Sequence, residues 1–262
     1  MRTVRTVTEI RDALRDRRGV IGLVPTMGAF HDGHLSLMRA AREACDVVVV
    51  SLFVNPSQFN AAEDLARYPR DEAADALAAE TVGADLLFAP DAAELYPDGF
   101  DTWVEPGELA TVLEGAARPG HFRAVATVCT KLLSIVRPDL AYFGRKDAQQ
   151  VAVIKRVVAD LNLPLEIVAL PTVRDADGLA LSSRNAFLSP AERAAALALP
   201  RALHAGAAAR RSGADPVAAA RTVLDVERGL TVDYVDVAEL DGPTLVAAVR
   251  VGTTRLIDNV SL

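Results

Sequence analysis

Val20–Ala44 reads VIGLVPTMGAFHDGHLSLMRAAREA. Its apolar opening, Val20–Thr26, predicts a buried strand, and LSLMRAAREA predicts a helix. Between them, Gly28 permits a tight turn and Gly33 lets a ligand or a neighbouring backbone approach closely. His31 and His34, half of the chain's 4 histidines, fall at i and i+3 of the helix start, where side chains share a face. A helix N-terminus offers N–H groups and partial positive charge, a seat for phosphate to which imidazoles can also donate. In open α/β sheets ligands bind beyond the carboxyl ends of the strands. This turn lies at such an end.

Outward from this turn the same alternation recurs. DVVVVSLFVN (46–55) is a continuous apolar run that suits a parallel strand covered on both faces. ADLLFAP (84–90), DLAYFG (139–144) and LEIVALPTV (165–173) predict further strands. AVATVCTKLLSIV, with Val125, Val128, Leu132 and Val136 on one stripe, and DAQQVAVIKRVVADL predict helices. Strands separated by helices imply βαβ units, so the fold class is α/β, a Rossmann-like doubly wound parallel sheet. Near Thr172 the pattern changes. SPAERAAALALPRALHAGAAARR opens a helix with Ser189 as N-cap, Pro190 at the first position and Glu192 completing a capping box. DPVAAARTVLDVERG adds a second helix capped by Asp215, and VDYVDVAEL and LVAAVRVGTTRLIDNV read as strands. The predicted division is therefore 1–172 and a smaller α+β domain over 173–262.

The net charge of −7 argues against a phosphate-backbone surface and so against nucleic-acid partners, while leaving room for a local cationic pocket. No apolar run approaches the ~20 residues that span a bilayer, and the N-terminus lacks the apolar core of a secretory signal. Cys45 and Cys129 read as buried thiols in a reducing compartment, neither a disulfide framework nor a zinc site.

Several further stretches carry chemistry. SLFVNPSQF (51–59) ends a strand with Asn55 and Gln58. PGHFRAVATV (119–128) opens a helix with His121 and Arg123. AYFGRKDAQQ (141–150) ends a strand with Lys146 and Asp147, then Gln149 and Gln150. RDADGLALSSRN (174–185) offers two hydroxyls, Ser182 and Ser183, and the cation Arg184, suited to phosphate oxygens. Read singly, Asn55 before Pro56 suits turn chemistry, the glutamines suit a surface, and Lys146 suits a solvated charge. His204 reads as an ordinary residue of its helix.

The H-x-G-H of residues 31–34 resembles the HIGH-type motif of the nucleotidyl-transferring α/β superfamily. Taken in order with the other stretches and the tail GTTRLIDN, the chain closely resembles the pantothenate synthetase family, from about residue 20 to 190. The resemblance implies an AMP-forming ligase that joins pantoate to β-alanine through a pantoyl-adenylate, with ATP, Mg²⁺ and a cytoplasmic homodimer. It implies an ATP- and pantoate-binding domain over 1–172 and a C-terminal lid domain over 173–262. Carried over by position, Met27, Gly28, Ala29, Phe30, His31, Asp32, Gly33 and His34 line the ATP site at the first turn. Gly144, Arg145, Lys146 and Asp147 join them from the later strand end, and Val173, Leu181, Ser182, Ser183 and Arg184 from the polar loop. His31, His34, Lys146 and Arg184 are the expected catalytic residues. Asn55, Gln58, Gln150 and Met27 are expected at pantoate or β-alanine.

That inventory suits the chemistry. Pantoate's carboxylate is ionised near neutral pH, so the first step needs alignment and charge neutralisation rather than a base. The amides of Gln58 and Gln150 both donate and accept, matching a substrate with hydroxyls and a carboxylate. No residue stands out as the base for the amine in the second step. Arg145 stands where the family usually has Glu, Leu181 where Met is common, Ser57 where Met or Thr is frequent and Ala124 where Gly is usual. Two other readings share the phosphate motifs: a simple nucleotidyltransferase, which would leave the glutamine pair unexplained, and a non-catalytic nucleotide-binding regulator.

Overall fold

The structure, a computed structural model, describes residues 1–59 and 62–262. They form two units, Met1–Gly144 with Gln149–Leu170, and Arg145–Ala148 with Pro171–Leu262.

Through the first of these the chain runs β1 (Arg2–Val4), α1 (Val7–Leu14), β2 (Ile21–Thr26), α2 (Asp32–Ala44), β3 (Val47–Leu52), α3 (Ala62–Arg67), α4 (Glu72–Thr81) and β4 (Leu86–Phe88). It continues through α5 (Ala92–Leu95), α6 (Glu114–Ala117), α7 (His121–Val136), β5 (Leu140–Gly144), α8 (Ala148–Asp160) and β6 (Glu166–Leu170). Every strand pairs parallel, in the order β1-β4-β3-β2-β5-β6. The valines of β3 show why both faces need cover. Val47 and Val49 enter a core shared with Ile10 of α1 and Val125 of α7, while Val48 and Val50 enter another shared with Met38 and Ala41 of α2. Side chains alternate across a strand, so a strand apolar at every position must be covered twice. Each valine so buried contributes about 1.5–3 kcal/mol. The expected stripe of α7 is buried, and Ala126, Cys129 and Leu133 beside it are buried as well.

β2 is the strand at which the winding reverses. It pairs with β3 along its length, from Ile21↔Val47 to Thr26↔Leu52, but with β5 only at Gly22↔Leu140 and Leu23↔Ala141. β5 stays paired with β6 as far as Gly144↔Leu170. Pro25, which has no N–H for a ladder, stands in the part of β2 that β5 does not pair. The carboxyl ends of β2 and β5 therefore separate at the topological switch point, where doubly wound sheets bind ligands.

β1 and α1 lie within a segment whose sequence shows only charge and small apolar patches. The cue was Thr6-x-x-Glu9, which forms a full capping box.

The second unit contains α9 (Pro190–Ala196), α10 (Ala198–Arg211) and α11 (Pro216–Leu224), followed by the antiparallel sheet β7 (Leu230–Glu239), β8 (Pro243–Val251) and β9 (Thr254–Ser261) in the order β7-β8-β9. Ser189 and Glu192 make the expected capping box, and Asp215 accepts from Val217 and Ala218. The run 189–211, expected as one helix, is broken at Leu197. The ring of Pro200 cannot coexist with a continuous helix, because it meets the carbonyl of residue 196 and offers no N–H. α9 ends at Ala196 for that reason, and Pro200 falls within the first turn of α10.

Candidate active site

The turn after β2 is held from below and from the side. Thr26 donates its hydroxyl to Ser51 O at 2.6 Å, and Phe53 N–H donates to Thr26 O at 3.1 Å. Gly28 and Ala29 follow with φ of +88° and +52°, a left-handed pair that reverses the chain. The carboxylate of Asp75, on α4 and 5% exposed, accepts Ala29 N–H at 2.9 Å and Phe30 N–H at 2.7 Å. Asp75 was not among the sequence candidates. It looks like one more acid on an alanine-rich helix, and its only cue is its i, i+4 relation to Ala79, which puts both on the buried stripe.

The two histidines cap α2. His31 Nδ1 accepts Gly33 N–H at 3.1 Å, His34 Nδ1 lies 3.4 Å from His31 N, and the ring centroids are 4.2 Å apart. The Gly33 N–H is thus taken by a side chain and is not the open backbone donor that the sequence suggests. With Nδ1 accepting, a neutral imidazole carries its proton on Nε2, which makes Nε2 the donor of each ring.

Beyond β3, Asn55 is fully buried and caps the short turn Pro56–Gln58. Its Nδ2 donates to Gln58 Oε1 at 2.9 Å, and its Oδ1 accepts from the hydroxyl of Ser57 at 2.9 Å. Gln58 is 8% exposed. Arg118, also absent from the sequence candidates, donates to Gln58 O at 3.1 Å and lies 3.1 Å from His121 Nε2. Its only sequence cue is its place just before PGHF. The adjacent glutamines of α8 divide. Gln149 is buried, donates to Leu109 O and Val112 O, and accepts Glu114 N–H at 3.0 Å, which marks it as an anchor for that segment. Gln150, the predicted ligand, is half-buried.

In the second unit, Lys146 stands on a 3-10 turn, Arg145–Asp147, with Nζ 3.6 Å from Asp147 Oδ1. The Arg145 guanidinium meets Asp241 in the β7–β8 turn at 3.0 Å. The reversal of charge at that position is therefore balanced within the same unit. Val173 and Leu181 are brought together by a 3.0 Å backbone bond, and the hairpin between them is pinned twice. Arg174 holds the buried Asp258 at 2.6 and 3.0 Å, and Arg193 holds Asp175 at 2.6 Å and Asp177 at 2.8 Å. Burial pulls the Asp177 carboxyl up, but the Leu179 N–H and the Arg193 guanidinium outweigh it and hold it below its ordinary value. Ser182 caps the turn Ser183–Phe187 and accepts Arg184 N–H, and Arg184 itself is exposed.

The family profile of pantoate-beta-alanine ligase matches residues 1–261. The chain belongs to that family. The pantothenate synthetase of Roseiflexus sp. (strain RS-1) is 52% identical over 276 residues, covering 100% of this chain and 99% of its own. The crystal structure of pantothenate synthetase from Thermus thermophilus superposes with a TM-score of 0.95 at 45% identity, covering 100% of this chain and 99% of that one. The Francisella tularensis pantoate-beta-alanine ligase, described as complexed with beta-gamma ATP and beta-alanine, gives a TM-score of 0.86 at 34% identity over 100% of this chain and 97% of that one. This chain is accordingly an amide-forming ligase of pantoate and β-alanine, and the switch-point geometry belongs to a pantoate–β-alanine ligase.

Proposed function

We propose that the residues placed above divide the work of the family's reaction as follows. The reaction is the ATP-dependent condensation of pantoate with β-alanine to pantothenate, through a pantoyl-adenylate, with release of AMP and pyrophosphate. Gln58, set by Asn55, and Gln150 hold pantoate. Because Asn55 already occupies Gln58 Oε1, Gln58 meets the substrate chiefly as a donor from Nε2, which suits a carboxylate or hydroxyl oxygen. Met27 packs the gem-dimethyl group. The pantoate carboxylate attacks the α-phosphorus and pyrophosphate leaves. His31 and His34, through Nε2, with Lys146, Arg184, Ser182 and Ser183, donate to the oxygens on which charge develops. The β-alanine amine then attacks the carbonyl carbon of the mixed anhydride, loses a proton and displaces AMP.

Among the described residues no three His, Cys, Asp or Glu side chains converge on a cation site. A Mg²⁺ would be held mainly by nucleotide phosphates and water, and the half-exposed carboxylate of Asp147, beside Lys146, would be the protein group to join it. Bound there, Mg²⁺ would neutralise phosphate charge. Among the described residues no helix is long and apolar enough to cross a membrane, and Cys45 and Cys129 are free and buried. The buried free thiols support a cytoplasmic setting, and resemblance to the family supports a homodimer.

The observation that carries this division of roles is the separation of β2 from β5 at the switch point, with the histidine turn at the end of β2. Product analysis with ATP, Mg²⁺, pantoate and β-alanine, each omitted in turn, tests it. AMP and pyrophosphate should appear together and only with pantoate. ADP with inorganic phosphate, or AMP formed without pantoate, would sink the assignment.

A further inference from the structure

The tail motif RLIDN resembles the family's but has no part in the roles above. Its last residue, Asn259, lies on β9 opposite Val246. The side-chain Nδ2 donates to Arg145 O at 2.8 Å and to Lys146 O at 2.9 Å. Both hydrogens of one amide are thus spent on two consecutive carbonyls. The orientation of the amide is not ambiguous, because a backbone carbonyl can only accept and the oxygen of Asn could not face either one.

Two consecutive carbonyls held from one point fix the peptide plane between them, and with it the backbone from which Lys146 departs. The Lys146 side chain is 18% exposed and carries the cation assigned to the nucleotide. A neutral amide suits this place. A lysine or arginine could also donate twice but would add a like charge beside Lys146, and a carboxylate would face lone pair to lone pair. The strand that presents the amide is itself held, since the preceding Asp258 is buried and grips Arg174.

We infer that Asn259 is a positioning residue for Lys146, acting through the carbonyls of the Arg145–Asp147 turn. The inference rests on the reading of Lys146 as a phosphate donor. Displacement of a reacting group by about 1 Å can cost on the order of 10²-fold in rate, and loss of the clamp should cost a part of that.

The test uses Asn259→Asp, which keeps shape and removes both donors, and Asn259→Ser, which keeps one. Each is made in the wild-type chain and in Lys146→Ala. Single-turnover pyrophosphate release, the KM for pantoate and thermal unfolding are measured for all. In the wild-type background Asn259→Asp should slow pyrophosphate release by about tenfold or more, with the KM for pantoate changed less than about twofold, and Asn259→Ser should fall between. In the Lys146→Ala background neither substitution should slow release further. Equal slowing in both backgrounds would make Asn259 merely structural and overturn the inference, as would wild-type rates in Asn259→Asp. If Asn259→Asp does not fold, Asn259→Ser decides by the same criterion. Wild-type rates in Lys146→Ala alone would sink the Lys146 assignment and this inference with it, whereas a slow Lys146→Ala with additive effects would sink only the inference.

Discussion

The side-chain amide of Asn55 donates to Oε1 of Gln58 at 2.9 Å, inside a turn where Asn55 has no exposed surface at all. A residue that as a bare Asn-Pro step would merely start a turn is here the holder of a candidate substrate ligand. The bond also makes Gln58 directional, since one of its polar atoms is spent internally.

Replacing Gln58 by Ala should raise the KM for pantoate by about 10–100-fold, the range of about 1–3 kcal/mol expected for a buried polar contact. ATP binding should be nearly unchanged. Asn55→Ala should raise the same KM by less and also lower the unfolding temperature, because Gln58 and Ser57 lose their partner. Distance from the histidine turn is not the reason the effects should part. β3 and β5 both flank β2, so the ends are neighbours, and the difference rests on which group each residue binds. Equilibrium ATP binding and pantoate titrations decide it. Loss of ATP affinity with a normal pantoate response would place Gln58 elsewhere.

Asp75→Asn should destabilise the fold and slow pyrophosphate release together. An amide can accept only one of the N–H groups of Ala29 and Phe30 and turns a donor toward the other, at a cost of about 1–3 kcal/mol. Gly28→Ala should strain the same turn and press on the same carboxylate. It combines φ of +88° with a Cβ 2.8 Å from Leu52 Cδ1 and 2.9 Å from Asp75 Oδ2. Thermal unfolding and single-turnover rates measured side by side test both. A fully active, fully stable Asp75→Asn would show that the carboxylate does not set the turn.

Lys146→Ala should lower turnover by about 10²–10³-fold, or ~3–4 kcal/mol, as for loss of one preorganised donor to developing charge. Arg145 is the neighbouring cation, but it is bound to Asp241, and Lys146→Ala/Arg145→Ala should be little slower than Lys146→Ala alone. A double variant at least about tenfold slower would show that Arg145 shares the work.

Acidification should loosen the hairpin that carries Ser182–Arg184. The Asp177 carboxyl titrates below its ordinary 3.8 in the fold, so the bond to Arg193 stabilises the native state above that value. The contribution is lost as the pH falls through the lower, folded value. Asp177→Asn should therefore flatten the acid side of the stability profile below about pH 4 and leave it unchanged near neutrality apart from a small uniform loss, since exposed pairs contribute little. Unfolding temperatures across that range, wild type against variant, supply the check. An unchanged acid slope would count against the clasp.

Periodicity was enough for strands β2 to β6 and for helices α2, α7, α8 and α11. The double-sided valines of β3, the capping box at Ser189 and the Asp215 cap can be read directly, because each depends on residues close in sequence. What escaped was set by partners far along the chain. β1 is three residues at a sheet edge and exists because β4 pairs with it. Asp75 and Arg118 look like surface charges until the fold brings Ala29, Phe30 and Gln58 to them.

By itself the sequence determined that this chain would wind strands and helices alternately, place a two-histidine turn at a strand end and carry the ordered motifs of a pantoate–β-alanine ligase. Those follow from local spacing and residue chemistry. Only the tertiary structure decided that Gln149 anchors while Gln150 does not share that anchoring, that Arg145 turns to Asp241, and that Asn259 reaches back to the carbonyls of Arg145 and Lys146. The physical reason is the same in each case. A polar group's role depends on which partner satisfies it, and for these groups most partners lie more than thirty residues away, where spacing carries no information.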